Sequence, residues 1–272
     1  MNLSKTITIR ELAQTITLIK KNAFLYAIAA IIDALFFFAY GFFTTFISDS
    51  ITAHSALISN KLSELLAQKK LGILKLLFQD PLRPLTGKLI LLILLFFALS
   101  FIVYTIFQAT SWWIARTIAG KKENRAHFFL TFVKLNLLWF GLYVFYRLAN
   151  LFLSLRFLVI KRFEPGAYDL GGVILLGLLA FLVITALLSY ATLQRWSFFK
   201  LPLRTTLPLI TICIVIFLNA QFLTDKLSKL FLLPSLSATA YYLNLAWLAI
   251  IFCSFLVFLK IYATLVLSHV RS

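Results

Sequence analysis

Long apolar runs alternate with short polar connections along the whole chain, and this rhythm is its dominant signal. Six runs, near 23–47, 88–110, 130–154, 171–192, 205–224 and 241–268, each reach the roughly 20 residues that a helix needs to cross a hydrocarbon layer of about 30 Å. In lipid such runs must be helical, because every backbone N–H and C=O has to be satisfied within the segment. A transmembrane barrel would instead read as short segments of alternating polarity. The predicted fold is all-α: a polytopic transmembrane helical bundle, read as a single integral membrane domain over 1–272.

Two segments carry a different pattern. In residues 8–20, Ile9, Leu12, Ala13, Ile16 and Ile19 fall on one helical face, with Arg10, Glu11 and Gln14 opposite. Thr8 and Glu11 have the spacing of a capping box. This predicts an amphipathic helix lying in the membrane interface. In residues 55–79, Ile58, Leu62, Leu65, Leu66, Ile73 and Leu76 share a face, and Lys61, Glu64, Gln68 and Lys75 lie opposite. The pattern stops at Asp80-Pro81, which predicts a second, outer interfacial helix with a break at Gly72. Basic or aromatic lead-ins recur before alternate spans, at Ile9–Lys21, Trp112–Arg125 and Gln194–Arg204. They divide the spans into three hairpins, each opened by an interfacial elbow.

Composition agrees with a membrane protein: 62% of the 272 residues are hydrophobic and only 13% charged, too few to cover a soluble fold. The net charge of +17 is carried mainly in the connections. That distribution points to anionic lipid head groups, not nucleic acid, as the partner. Other membrane subunits are the second class of partner expected. Cys213 and Cys253 both fall in apolar runs and cannot make a disulfide framework. The first run, Ala23 to Ile47, is too long for a cleaved signal and is read as a retained span. The compact basic segments around Lys20-Lys21, Arg116–Arg125 and Arg195–Arg204 give a small bias that sets both termini on the cytoplasmic side of a cell membrane.

Few residues could carry chemistry. Asp33 is the one acid deep in a span, and a buried carboxylate there needs a partner or a task. It shares a helical face with Tyr26, Tyr40 and Thr44. The third span has a matching stripe of Asn136, Tyr143, Arg147, Asn150 and Ser154. Arg147 is the expected ion-pair partner of Asp33, and Lys260 in the sixth span is its competitor. Milder stripes, Ser100, Tyr104, Gln108 and Ser111 in the second span and Thr185, Ser189 and Thr192 in the fourth, read as hydrogen-bond glue between helices. No catalytic signature is recognisable, and neither a metal nor a cofactor is expected: His54, His127 and His269 stand apart, without further ligands at metal spacing.

The lead-in Ile9–Lys21, and Trp112-Trp113-x-x-Arg116…Gly120…Phe128-Phe129 before the third span, resemble the rhythm of six-helix proteins related to the membrane domain of glycerophosphodiester phosphodiesterases. The resemblance implies a fold, not an activity, since these 272 residues hold nothing like that family's catalytic domain.

Three functional readings follow. The first is a transport-type protein that passes a small solute or lipid along the polar seam around Asp33. The second is a non-catalytic scaffold or subunit of a membrane complex. A lipid-modifying enzyme comes last, because no acid, base or metal set converges. Water reaching Asp33 would favour transport, and a dry, fully packed ion pair would favour a scaffold.

Overall fold

The computed structural model describes residues 3–68, 78, 80, 82–121, 123–163, 170–194, 203–231 and 238–269. Among them seven helices form: α1 (Leu3–Lys21), α2 (Ala23–Gln68), α3 (Arg83–Ile118), α4 (Arg125–Phe163), α5 (Leu170–Thr192), α6 (Leu203–Phe231) and α7 (Ala238–His269). Helices α2 to α7 each hold a stretch long and apolar enough to cross a membrane, and all six predicted spans fall inside them. The chain is an all-α, multi-pass membrane protein.

The chain clusters into two compact units: Met1–Ala34 with Phe107–Ser272, and Leu35–Ile106. In the first, α7 is the hub. Its apolar stretch is 61% buried, against 11% for those of α5 and α6. It packs on α1, α5 and α6, while α4 pairs with α5. A small-residue seam of Ala29, Ala30, Ala115 and Ala119, together with Ile114, Ile118, Val257, Ile261 and Leu265, forms one core cluster. Alanines let helix backbones approach closely, which is the main source of packing energy between helices in lipid.

Two boundaries and the packing of α1 add to or alter the sequence reading. First, α2 does not end near 47 but runs on to Gln68, so the described part of the predicted 55–79 interfacial helix is a continuation of the first span. Between Gly41 and Gly72 there is no glycine or proline to stop it. Its 46 residues reach about 69 Å, more than twice a hydrocarbon layer. Ile58 is buried and Lys61 exposed, and Gly72 lies outside the described residues.

Second, the third span starts earlier, at Arg125 instead of 130. α3 ends in a left-handed glycine cap: Gly120 has φ 81°, its N–H donates to the Thr117 carbonyl (3.0 Å), and the Lys121 N–H donates to the Arg116 carbonyl (2.9 Å). Asn124 then caps α4, its Oδ1 accepting from the Ala126 N–H at 3.0 Å. Trp112 and Trp113 therefore belong to the last turns of α3, not to a separate elbow. Most of the third lead-in, 195–202, lies outside the described residues.

Third, α1 docks on protein through a face that mixes both stripes: Ile19 packs on the core cluster, while Arg10 stays exposed. Glu11 (2% exposed) and Thr15 (0%) are buried, and Ile16 is 45% exposed. α1 packs on α7 and α6. In water an amphipathic helix buries its apolar face. Beside a membrane the apolar face can turn to lipid while the polar one is sheltered by neighbouring helices, where its hydrogen-bonding groups find partners.

Candidate functional site

Asp33 lies about ten residues, or roughly 15 Å of helix, past the start of α2. Gln108 and Ser111 lie a similar distance before the end of α3, and Lys260 before the end of α7. Because α2 runs opposite to α3 and α7 in a six-span chain, these residues meet at one depth. Lys260 Nζ donates to Asp33 Oδ1 (2.8 Å) and Oδ2 (2.7 Å), to Gln108 Oε1 (2.9 Å) and to Ser111 Oγ (2.7 Å). The Gln108 amide donates to Asp33 Oδ1 at 3.1 Å. An ammonium has three protons, and here four oxygens compete for them, so its hydrogen-bonding capacity is full. The face of Trp112 lies 5.8 Å from Nζ, a cation–π distance. Asp33 is 0% exposed and Lys260 6%.

The cluster continues through aromatic contacts. Trp112 lies against Tyr190 of α5 (centroids 6.0 Å), and Tyr190 stacks on Phe132 of α4 (4.7 Å). The Tyr190 hydroxyl donates to Asn136 Oδ1 at 3.0 Å. Tyr26 donates to the Ser254 carbonyl at 2.6 Å and ties α2 to α7 a second time. Arg116, also buried, bonds both Glu123 and the Ala191 carbonyl near the end of α5. One connected network thus joins α2, α3, α4, α5 and α7.

The expected Asp33–Arg147 pair does not form. Arg147 is exposed on α4, and Asp33 is held by Lys260 and Gln108. The reason is depth. With α4 starting at Arg125, Arg147 stands about 33 Å along the helix, a full hydrocarbon thickness, and not at the level of Asp33.

The polar seam divides as well. Tyr26 and Asn136 belong to the network above. Tyr143 is exposed and stacks on Tyr146 (6.2 Å), Asn150 is half-buried, and the side chain of Ser154 lies outside the described residues. Tyr40 falls in the Leu35–Ile106 unit, against Phe36 at 5.5 Å. There it lines a shallow, mostly apolar groove with Thr44, Phe96 and Ser100. Thr185 and Thr192 bond back to carbonyls of their own helix.

Sequence reasoning assigned Gln108 and Ser111 to glue, although they complete the charged cluster. The signal that could have found them is their distance from the end of their helix. Comparison with family models, curated proteins and solved structures finds no match to this chain.

Proposed function

We propose that this protein is a non-catalytic membrane scaffold, a subunit whose outer helical surfaces do the work and whose interior is a fixed structural core. The observation that carries the reading is the sealed Asp33–Lys260 cluster: a wholly buried carboxylate, an ammonium with every proton engaged, and two neutral side chains closing the shell. A solute- or proton-carrying seam needs a charge that water can reach and that can exchange partners. A saturated pair shut among apolar helices is suited to fixing which helices neighbour which. The sparsely buried α5 and α6 leave wide apolar faces for lipid or for the helices of a partner. The same reading puts both termini on the cytoplasmic side of a cell membrane, supported by Lys20, Lys21, Lys121 and Arg125 at one set of helix ends.

The test is proton and solute flux in liposomes loaded with a pH-sensitive dye. The scaffold reading expects no flux above protein-free liposomes under an imposed pH gradient or potential. Flux that the wild type carries and Asp33→Asn abolishes would overturn it in favour of transport.

A further inference from the structure

We infer that the α3–α4 corner of the first unit holds a binding site for the phosphate of an anionic glycerophospholipid, with Arg125 as its centre and the exposed Lys20 and Lys21 adding positive charge at the same end of the unit. The guanidinium of Arg125 lies 5.2 Å from the centroid of Trp113 and 5.9 Å from that of Phe129. Two aromatic faces thus position an exposed cation without neutralising it. The nearby carboxylate, Glu123, is already engaged by Arg116. Among the described residues Arg125, Lys20 and Lys21 have no ion-pair partner.

The two lysines belong to the same end of the unit. Trp113 packs against the Ala29–Ala115–Ile118 cluster, and so do Leu18 and Ile19 in the last turn of α1. Lys20 and Lys21 follow directly and are exposed. This end gathers the start of α2, the end of α3 and the start of α4. Tryptophan at that level is a head-group anchor, apolar in body and polar at its N–H. A cation held over its ring is positioned to meet the two oxygens of a phosphodiester, which a guanidinium can bind with paired N–H donors. The lipid source is favoured over free phosphate because the indole and Phe129 offer apolar surface for the glycerol and first acyl carbons, which inorganic phosphate would leave unused. The inference does not depend on the scaffold reading, since a transporter would carry the same site.

Native mass spectrometry of the full chain in a neutral detergent, titrated with phosphatidylglycerol or phosphatidylcholine, tests it. The wild type should retain phosphatidylglycerol more tightly, and Arg125→Gln should weaken that retention about fivefold, weaken phosphatidylcholine less, and so narrow the preference between them. Trp113→Phe should weaken it less, and Lys20→Gln with Lys21→Gln should weaken it further. Lys134→Gln, which removes an exposed cation elsewhere on α4, should have no effect. Equal retention of the two lipids, an unchanged Arg125→Gln, or equal loss in Lys134→Gln would each overturn the site. Displacement of the lipid by millimolar inorganic phosphate would overturn the choice of a lipid as its ligand.

Discussion

Lys260 and Arg147 are both cations within apolar runs, yet only Lys260 meets Asp33. The difference lies in counting residues from helix ends. Asp33 was recognisable from sequence because an acid at mid-span has few neutral explanations. Its partner was not, because choosing among cations requires the start of each helix to within a turn, and boundaries are the weakest part of a sequence reading. Gln108 and Ser111 were hidden for a related reason: a polar side chain on an apolar helix looks the same whether it bonds a charge or its own backbone. The geometry makes a clear forecast. Gln108→Leu removes one acceptor of Lys260 and one donor to Asp33, and should cost about 1–3 kcal/mol. Arg147→Gln, on an exposed face, should stay within about 0.5 kcal/mol of wild type. Thermal unfolding in detergent measures both, and a larger loss from Arg147→Gln than from Gln108→Leu would refute the assignment of partners.

Helix ends explain most of what the sequence left hidden. The signals for the α3–α4 corner were present: Gly120 as the left-handed cap and Asn124 as the next N-cap. They were masked by Trp112-Trp113, which read as the opening of an interfacial elbow and not as the last turns of the preceding span. Gly120→Ala has open space for its new Cβ but must hold φ near 81°, so it should cost about 1–2 kcal/mol. A neutral result in thermal unfolding would mean that the corner relaxes to another turn. α1 shows which of its residues meet protein, which periodicity alone does not give. Beside a membrane an apolar residue can face lipid as readily as protein, and here Thr15 faces protein while Ile16 is exposed. Thr15→Leu should therefore destabilise the fold by about 1–3 kcal/mol through overpacking, and Ile16→Leu should be close to neutral, by the same thermal measurement. The reverse ranking would mean that Ile16, not Thr15, packs against protein.

At the scale of the whole molecule, the all-α class and the six spans were legible because 20-residue apolar runs have one structural solution in lipid. The division into two units was not legible, because α2 and α3 each contribute to both and no linker or change of composition marks it. The proposed orientation predicts that, in a cysteine-free background, a cysteine at Lys121 is shielded from an impermeant reagent in intact cells. One at Lys226, at the opposite end of a span, should react. Labelling at Lys121 would reverse the orientation.

Because one network joins five helices of the first unit, its stability should be readable in global unfolding. The most direct measurement is a double-mutant cycle in detergent with Asp33→Asn, Lys260→Gln and the pair. Each single change leaves a buried group without its counter-charge, and should cost about 3–5 kcal/mol. The double variant replaces both charges by amides that can still bond Gln108 and Ser111, so it should recover most of the loss, with a coupling energy of about 3 kcal/mol. Strict additivity of the two single losses would contradict a sealed ion pair at the centre of this protein.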